Sequence, residues 1–256
     1  MKPISPLSLA AREGSPVRGA RPAAAQRLAD VHHAIVSCDR CPRLRDYCGR
    51  VAREKKRAYR DDTYWGRPVP GFGDPDARIL LVGLAPAAHG ANRTGRVFTG
   101  DGVGGSGDFL MSALHRTGFA NIGTSTRADD GLWLTDAYIA AAVRCAPPDN
   151  RPSPDEIARC LDHLDAEVSA LPRVQVVVAL GKIGFDAWLQ LLRKRGVALS
   201  PRPQFGHGVV VQINSSGESS PERRRTAQYT PPRYLVGYGL DSGGLYRALP
   251  YIGAMD

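Results

Sequence analysis

Four of the five cysteines stand in two pairs whose spacing suits a metal centre. Cys38 and Cys41 form a CxxC, and fourteen residues separate Cys145 from Cys160. Thiolates from two distant segments can converge on one centre, either a zinc ion or an iron–sulfur cluster. Structural zinc sites commonly pair two short knuckles, which the second pair is not, so the spacing favours a cluster. Four ordinary buried cysteines are the other alternative, and Cys48 is left as a spare.

A glycine-rich stretch at residues 83–101, GLAPAAHGANRTGRVFTGD, could cradle a planar polar ligand. It matches neither the phosphate-binding P-loop nor the dinucleotide fingerprint GxGxxG. Its backbone amides could bind the carbonyls of a ring, while Phe98 stacks on that ring and Asp101 holds a water molecule. The alternative is a structural glycine turn, with Phe98 in the core and Asp101 as the N-terminal cap of the next helix.

Apolar runs and helix caps define the elements that must position these residues. Continuous apolar runs predict four buried strands, at residues 78–83, 138–143, 174–181 and 209–213. Helical patterns are found near residues 25–37, 108–117 and 182–195, and from a capping box at residues 153–156 onward. Such alternation predicts a parallel sheet covered on both faces. The loops after Gly83, Val143 and Gly181 should then form the site, because ligands collect beyond the carboxyl ends of parallel strands.

Composition limits the class of protein further. A chain of 256 residues with 43% hydrophobic residues suits one α/β domain with extensions and excludes wholesale disorder. The sequence contains no apolar run long enough for a transmembrane helix and no secretory signal, so we expect no membrane partner. Five cysteines without an export signal predict a reducing compartment, here the bacterial cytoplasm and its nucleoid, rather than a disulfide framework.

The positive charge is concentrated at the N-terminus. Residues 1–60 hold 14 Lys and Arg against 5 Asp and Glu, which accounts for the whole net charge of +9. This asymmetry favours a polyanionic partner, although a solvated basic tail would have the same composition. Residues 1–24 are rich in Pro, Ala, Arg and Gly without periodicity, which predicts a disordered basic leader.

Three stretches resemble motifs of family 5, the B-type, of the uracil-DNA glycosylase superfamily. They are the glycine-rich stretch, with GLAPA, GANRTGR and FTGD; YWGRPVPG at residues 64–71; and VRCAPP at residues 143–148, followed by Asn150 and Cys160. The motifs are long and follow the family's order. The resemblance covers about residues 30–210, so we predict a glycosylase-like domain at residues 25–213 and a divergent C-terminal segment at residues 214–256.

The resemblance implies a three-layer α/β/α fold with a central four-stranded parallel sheet. It implies hydrolysis of the N-glycosidic bond of uracil in DNA, with tolerance for other deaminated bases, by a monomer that flips the base into a pocket. The four paired cysteines match the positions that hold a structural 4Fe–4S cluster in this family, namely Cys38, Cys41, Cys145 and Cys160.

The resemblance also implies roles for the pocket residues. Phe98 matches the aromatic residue that stacks on the flipped base, and Asn150 matches a polar residue that reads the base or positions water. Other glycosylases of the superfamily carry an acid or an amide just before the proline, where this chain has Ala85. Because alanine cannot activate water, the resemblance implies that Asp101 positions the water molecule instead. The base-binding set is then Gly83, Ala85, Pro86, Ala87, Phe98 and Asn150, with Asp101 and Asn150 as the catalytic residues.

The C-terminal part departs from the family pattern. Members carry a histidine two residues before a serine, after a buried strand, and this histidine donates to the uracil carbonyl. In this chain no histidine follows His207, which matches a different stretch of the family. The motif aligns either at residues 229–232, with Thr230 at the histidine position, or at residues 238–239, with Gly239 there. The apolar run at residues 235–237 favours the second alignment.

Three functions are compatible with these observations. The first is an iron–sulfur uracil-DNA glycosylase, slowed by about 10²–10³ if one donor to the departing anion is lost. The second is a catalytically impaired relative that binds damaged or single-stranded DNA, with a C-terminus altered by divergence or by a frameshift. The third is a zinc-stabilised structural protein without a base pocket.

Overall fold

The computed structural model describes residues 22–102, 104–213, 219–222 and 233–238. In chain order the helices and strands are α1 (Pro22–Val36), α2 (Pro42–Glu54), β1 (Phe72–Gly73), β2 (Ile79–Gly83), α3 (Ala91–Thr94), α4 (Ser106–Arg116), β3 (Ala137–Ala141), α5 (Pro154–Ala170), β4 (Val176–Leu180), α6 (Lys182–Lys194), β5 (Val209–Ile213), β6 (Ser219–Glu222) and β7 (Arg233–Tyr238). Single 3₁₀ turns occur at Arg57–Tyr59 and Pro148–Asn150.

The strands form one mixed sheet with a parallel centre. Among the described residues the strand order is β1-β3-β2-β4-β7-β5-β6. The four central strands, β3, β2, β4 and β7, are mutually parallel, whereas β1, β5 and β6 pair antiparallel at the edges. The α/β class is therefore as predicted, and the sheet is wider and not purely parallel.

One strand direction was predicted wrongly. The apolar run at residues 209–213 is a strand, but it runs antiparallel to β7 rather than serving as the fourth parallel strand. The fourth parallel strand is β7, which lies between β4 and β5 and beyond residue 213, where the predicted domain ends. An apolar run indicates burial, whereas its direction depends on which neighbour its connections let it pair with.

Helices cover both faces of the sheet. On one face Leu80 and Val82 of β2 pack with residues of α1, α5 and α6. On the other face Leu81 packs with α4 residues such as Leu110 and Leu114. Successive strand residues thus serve opposite faces, as the two-residue period of a strand requires. The result is the predicted three-layer arrangement.

The helix that carries Cys160 begins as the sequence predicts. Ser153 is the N-cap of α5, and its hydroxyl accepts from the Glu156 backbone while the Glu156 carboxylate accepts from the Ser153 backbone. This reciprocal capping satisfies two backbone donors and sets where the helix starts. Within the ranges listed above, no helix is both long and apolar enough to cross a membrane.

Candidate active site

An open cleft of about 480 Å³ lies at the carboxyl edge of the parallel strands. Its walls come from the loops after β2 and β3, as predicted, and from the segment around the end of α2, which was not predicted. The loop after Gly181 contributes no described lining residue. The lining residues are Tyr47, Lys56, Tyr59, Ala87, Ala88, His89, Gly90, Gly100, Asp101, Gly105, Ser106, Pro147, Asp149 and Asn150.

Asp101 is held in this cleft by close backbone approach. A Cβ at Gly90 would collide with the Asp101 carboxylate, and a Cβ at Gly105 would lie 2.8 Å from the Asp101 Cβ. The Gly107 backbone N–H donates to the carboxylate, so Asp101 lies against the N-terminus of α4, although Gly105 is the N-cap residue. Asp101 is therefore not the N-cap residue of α4, but its carboxylate accepts from the first turn of that helix while it lines the cleft.

The environment of Asp101 favours its neutral form. Burial raises the pKa of Asp101 above its ordinary value, and the Asp108 carboxylate raises it further. The hydrogen bond from Gly107 and the positive charge of Arg93 lower the pKa in the opposite direction. A carboxylate with a raised pKa is a stronger base, which suits the activation of a water molecule.

Phe98 lies directly against the α-carbon of Gly83. A Cβ at residue 83 would approach Cε2 and Cζ of the Phe98 ring to 2.8 Å, so only glycine leaves room for the ring there. Phe98 has a positive φ of 50°, and it is half-buried against the α4 side of the core. Gly83 and Phe98, both predicted to contact the base, thus lie against each other, and neither is among the described residues that line the cleft.

The remaining predicted pocket residues occupy different depths. Asn150 is exposed at the rim with a left-handed φ of 55°, next to Asp149, whose φ is 53°. Ala87 lines the cleft, Pro86 is buried, and Ala85 packs against the cysteine-containing core cluster. The structure therefore brings Ala87, Asp101 and Asn150 to one cavity.

The four paired cysteines line a second cavity. Its lining residues are Cys38, Arg40, Cys41, Leu44, Arg45, Pro68, Val143, Arg144, Cys145, Arg159, Cys160 and His163. Cys38 and Cys41 lie between α1 and α2, Cys145 follows β3, and Cys160 is in the second turn of α5. Cys48 is buried outside this lining, hydrogen-bonded to the thiol of Cys145 and to the Ala146 carbonyl at 3.6 Å.

Donors surround these sulfur atoms. The Arg144 backbone N–H donates to Cys160 Sγ at 3.2 Å, and Arg40 Nε donates to Cys38 Sγ at 3.4 Å. Burial raises the pKa of Cys160 to about 12 and raises that of Cys41. Buried thiols of this kind stay protonated until a cationic centre displaces their protons.

Unpartnered polar atoms mark the same cavity. Three buried side-chain nitrogen atoms of residues that line the cysteine cavity have no hydrogen-bond partner. They are Nε and Nη1 of Arg144 and Nε2 of His163. Buried donors are normally satisfied, so the two Arg144 N–H groups indicate a site for a group that accepts hydrogen bonds.

Sequence reasoning missed the aromatic and basic wall of the cleft. The Arg93 guanidinium lies 3.9 Å from the centroid of the Tyr59 ring, and it donates to the carbonyls of His89 and Gly100, both at 2.8 Å. A salt bridge of 2.5 Å to Asp62 completes its contacts. The basic and aromatic composition of residues 38–77 was the available signal, but composition does not say which of these side chains face the site.

The two positions considered for the C-terminal histidine lie outside the described residues. Thr230 and Gly239 both fall in ranges that the structure does not describe. The strand predicted before the second position is present, because β7 pairs parallel to β4 with Tyr238 opposite Leu180. β7 therefore ends at the same edge of the sheet as β2 and the cleft.

Comparison with known proteins accords with this geometry. The sequence profile of the uracil DNA glycosylase superfamily matches residues 70–238. A type-5 uracil-DNA glycosylase of Mycobacterium leprae is 50% identical over 187 residues, covering 73% of this chain and 79% of that protein. A type-5 uracil-DNA glycosylase of Thermus thermophilus is 50% identical over 174 residues, covering 68% of this chain and 75% of that protein. A type-4 uracil-DNA glycosylase of Pyrobaculum aerophilum is 31% identical over 173 residues, covering 67% of this chain and 69% of that protein. Because the likeness is this high and spans most of each chain, the chain belongs to the type-5 family of the uracil-DNA glycosylase superfamily.

Proposed function

We propose that this chain removes uracil from DNA by hydrolysing the bond between the base and its deoxyribose. The observation that carries the proposal is that Asp101 and Asn150, from loops after two different strands, line one cleft in a chain of this family. A base in a duplex cannot reach such a cleft, so the nucleotide must be flipped out of the stack. Other deaminated bases with the same carbonyl edge are candidate substrates.

Some of the pocket residues bind the base, and others act in catalysis. Phe98 stacks on the flipped base, and the backbone of Gly83, Ala85, Pro86 and Ala87 shapes the wall around it. Asn150 reads the polar edge of the base or orients the water. Asp101 accepts a proton from the water that attacks C1′, and the raised pKa of Asp101 matches that role.

A 4Fe–4S cluster fits the cysteine cavity. The donor set is four cysteines with N–H donors to two of their sulfurs, the pattern that iron–sulfur sites use. In the described part of the chain no three His, Cys, Asp or Glu side chains converge as the ligands of a single ion would. The preference for a cluster over zinc rests on the sequence, because fourteen residues separate Cys145 from Cys160 whereas structural zinc sites commonly pair two short knuckles.

The cluster would act as a structural crosslink. When bound, it would supply four iron–thiolate bonds joining Cys38 and Cys41 to Cys145 and Cys160. The unpartnered N–H groups of Arg144 would then find acceptors in its sulfur atoms. Since Cys145 follows the strand that leads to Asn150, this crosslink would hold one wall of the active site in place.

DNA is the partner that the charge distribution supports. The excess of basic residues in residues 1–60 would contact phosphates, which carry no sequence information but supply affinity. We also propose that the protein acts as a monomer in the bacterial cytoplasm at the nucleoid. The glycosylase domain would begin near residue 25, after the basic leader, with residues 214–256 as its divergent C-terminal segment.

An abasic-site assay tests the proposal. Purified protein in excess over labelled single-stranded and duplex oligonucleotides with one uracil should produce alkali-labile breaks at the uracil. A shift in gel mobility without breaks would instead support a DNA-binding relative, a candidate that the absence of any histidine after His207 keeps open. A brown protein with a broad absorbance shoulder in the visible blue would exclude the zinc-stabilised alternative.

A further inference from the structure

His89 lies in the same cleft as Asp101 and has a defined hydrogen-bonding partner. Its Nδ1 is 3.0 Å from the hydroxyl oxygen of Tyr64, and the two rings meet edge to face with centroids 6.1 Å apart. Tyr64 is buried, and its oxygen also receives the backbone N–H of Lys56 at 3.4 Å. The imidazole is thus approached from one side by a buried phenol and from the other by the open cleft.

This chain of hydrogen bonds favours one position for the imidazole proton. The Lys56 backbone N–H can only donate, so the Tyr64 oxygen accepts there. Tyr64 is buried, and His89 Nδ1 is the acceptor within reach of its hydroxyl proton among the described residues, so the tautomer with an unprotonated Nδ1 leaves that proton hydrogen-bonded. In this tautomer the proton is on Nε2, and no described residue is hydrogen-bonded to that atom.

The surroundings of His89 keep the ring neutral. Burial lowers the pKa of His89 below its ordinary value, and the positive charges of Lys56 and Arg93 lower it further. The backbone of His89 is also held, because Arg93 Nε donates to its carbonyl at 2.8 Å while the Arg93 guanidinium stacks on Tyr59. Tyr64 orients the ring itself through Nδ1. A preorganised neutral donor is well suited to a group that gains negative charge.

We propose that His89 Nε2–H donates a hydrogen bond to a carbonyl oxygen of the flipped base and stabilises the departing uracil anion. The assignment rests on the proposed glycosylase function and adds a catalytic residue to it. It also supplies a donor of the required kind in a chain with no histidine after His207.

The step balances without any further reactant. The water oxygen forms a bond to C1′ as the bond from C1′ to N1 of uracil breaks, and the electron pair goes to N1 and spreads onto O2 and O4. One proton of the water passes to Asp101. His89 keeps its proton and donates only a hydrogen bond, so the uracil anion leaves as such and is protonated later by solvent.

Leaving-group dependence tests this role. Single-turnover excision from single-stranded oligonucleotides is measured with enzyme in excess, for uracil and for 5-fluorouracil, which is the more stable anion. His89→Ala should slow uracil excision by about 10²–10³ and slow 5-fluorouracil excision by a smaller factor. The enzyme concentration that gives half the maximal rate should change little, because the interaction forms mainly in the transition state.

Three further variants separate catalysis from structure. His89→Gln keeps an N–H donor and should recover part of the rate. Tyr64→Phe removes the group that selects the tautomer and should show a weaker form of the same leaving-group dependence. His33→Ala, at an exposed position on α1 outside the cleft, should match the wild type. Circular dichroism and the visible absorbance of each variant check that fold and cofactor are retained.

The outcomes distinguish this assignment from the function on which it rests. Active wild-type protein with an equally active His89→Ala variant would overturn the assignment alone. Equal slowing of both substrates, with weaker binding, would assign His89 to phosphate or base binding and would also overturn it. Absence of excision by the wild-type protein would overturn the proposed function, and the assignment with it.

Discussion

The Glu167 carboxylate accepts a hydrogen bond from Arg144 Nη2 at 2.6 Å, in an ion pair whose side chains are both almost wholly buried. The carboxylate also accepts from the Gly71 backbone at 2.8 Å and from the Tyr138 hydroxyl at 3.2 Å, and His32 donates to that hydroxyl. The network joins α1, β3 and α5 and ends on Arg144, at the cysteine cavity.

Breaking this ion pair should destabilise the protein strongly. Glu167→Gln keeps the size of the side chain but leaves the Arg144 charge buried and unpaired. The expected loss is about 3–5 kcal/mol, because the desolvation of that charge is no longer compensated. Urea unfolding of the variant and the wild type, at equal iron content, measures the difference.

The exposed pair between Arg127 and Asp129 is the matched control. Its side chains are 71% and 59% exposed, at a spacing of 2.9 Å. Asp129→Asn should leave the free energy of unfolding almost unchanged, since solvent screens the pair. Similar losses of unfolding free energy in the two variants would show that the buried ion pair contributes no more to stability than the exposed one.

Serine substitutions at the four lining cysteines should remove iron and visible absorbance. Cys38→Ser, Cys41→Ser, Cys145→Ser and Cys160→Ser each delete one thiolate ligand of the proposed cluster. Cys48→Ala should retain both signals, because Cys48 lies outside the cavity lining. Iron and acid-labile sulfide analysis provides the measurement. Loss of iron in the Cys48 variant alone would instead make Cys48 a ligand.

A methyl group at residue 83 should impair the base pocket without unfolding the protein. Gly83→Ala places a Cβ 2.8 Å from the Phe98 ring, which must move. Excision should slow, and Phe98→Ala should slow it as well by removing the stacking surface. Gly49→Ala in α2 is the control, since its nearest neighbour is a flexible arginine end at 3.4 Å. Misfolding of Phe98→Ala would favour a purely structural role for that ring.

The acidic limb of the pH–rate profile should report Asp101. Only the ionised carboxylate can accept a proton from water, and burial raises its pKa, so activity should fall at a higher pH than for an ordinary aspartate. Asp108→Asn removes a neighbouring negative charge, lowers the pKa of Asp101 and should move the limb to lower pH. Asp101→Asn should lose about 10²–10⁴ in rate. Repeating the profile in His89→Gln removes the imidazole of the cleft from the titration.

The raised pKa of Asp101 also predicts that its ionised carboxylate lowers the stability of the folded protein. Because the pKa of Asp101 is raised by folding, its ionised form opposes folding above that pKa, and the effect disappears as the pH falls. Asp101→Asn should therefore unfold at or above the wild-type temperature at neutral pH, although it excises uracil far more slowly. A clear drop in the unfolding temperature would contradict the raised pKa.

DNA affinity should fall steeply with salt through the basic N-terminal region. Each phosphate contact contributes about 0.9 to the slope of log affinity against log salt concentration. A chain lacking residues 1–21 should show a shallower slope. Lys194→Ala is the control, because α6 runs back from the cleft edge and places Lys194 at the opposite edge, paired with Asp162 and Asp165. An unchanged slope after truncation would mean that residues 1–21 do not contact DNA.

Local patterns were sufficient for the parts of the fold that depend on neighbours in sequence. The Ser153 capping box, the buried strand before Gly83 and the apolar strand ending at Tyr238 were all read from residue types and spacing. The direction of the strand at residues 209–213 could not be predicted in this way. Several strands that are distant in sequence have a similar apolar character, so the local pattern does not show which of them this strand pairs with.

The functional residues also divide into features that the sequence predicts and contacts that only the tertiary structure shows. Cys38, Cys41, Cys145 and Cys160 were selected by their spacing, Asp101 by its place in the glycine-rich stretch, and Asn150 by resemblance to a family motif. The preferred tautomer of His89 depends on Tyr64 and Lys56, and the charge on Arg144 is balanced by Glu167, 23 residues away on another element. Such pairs are invisible in sequence, because hydrogen bonds and burial depend on distances that exist only once the strands and helices have packed.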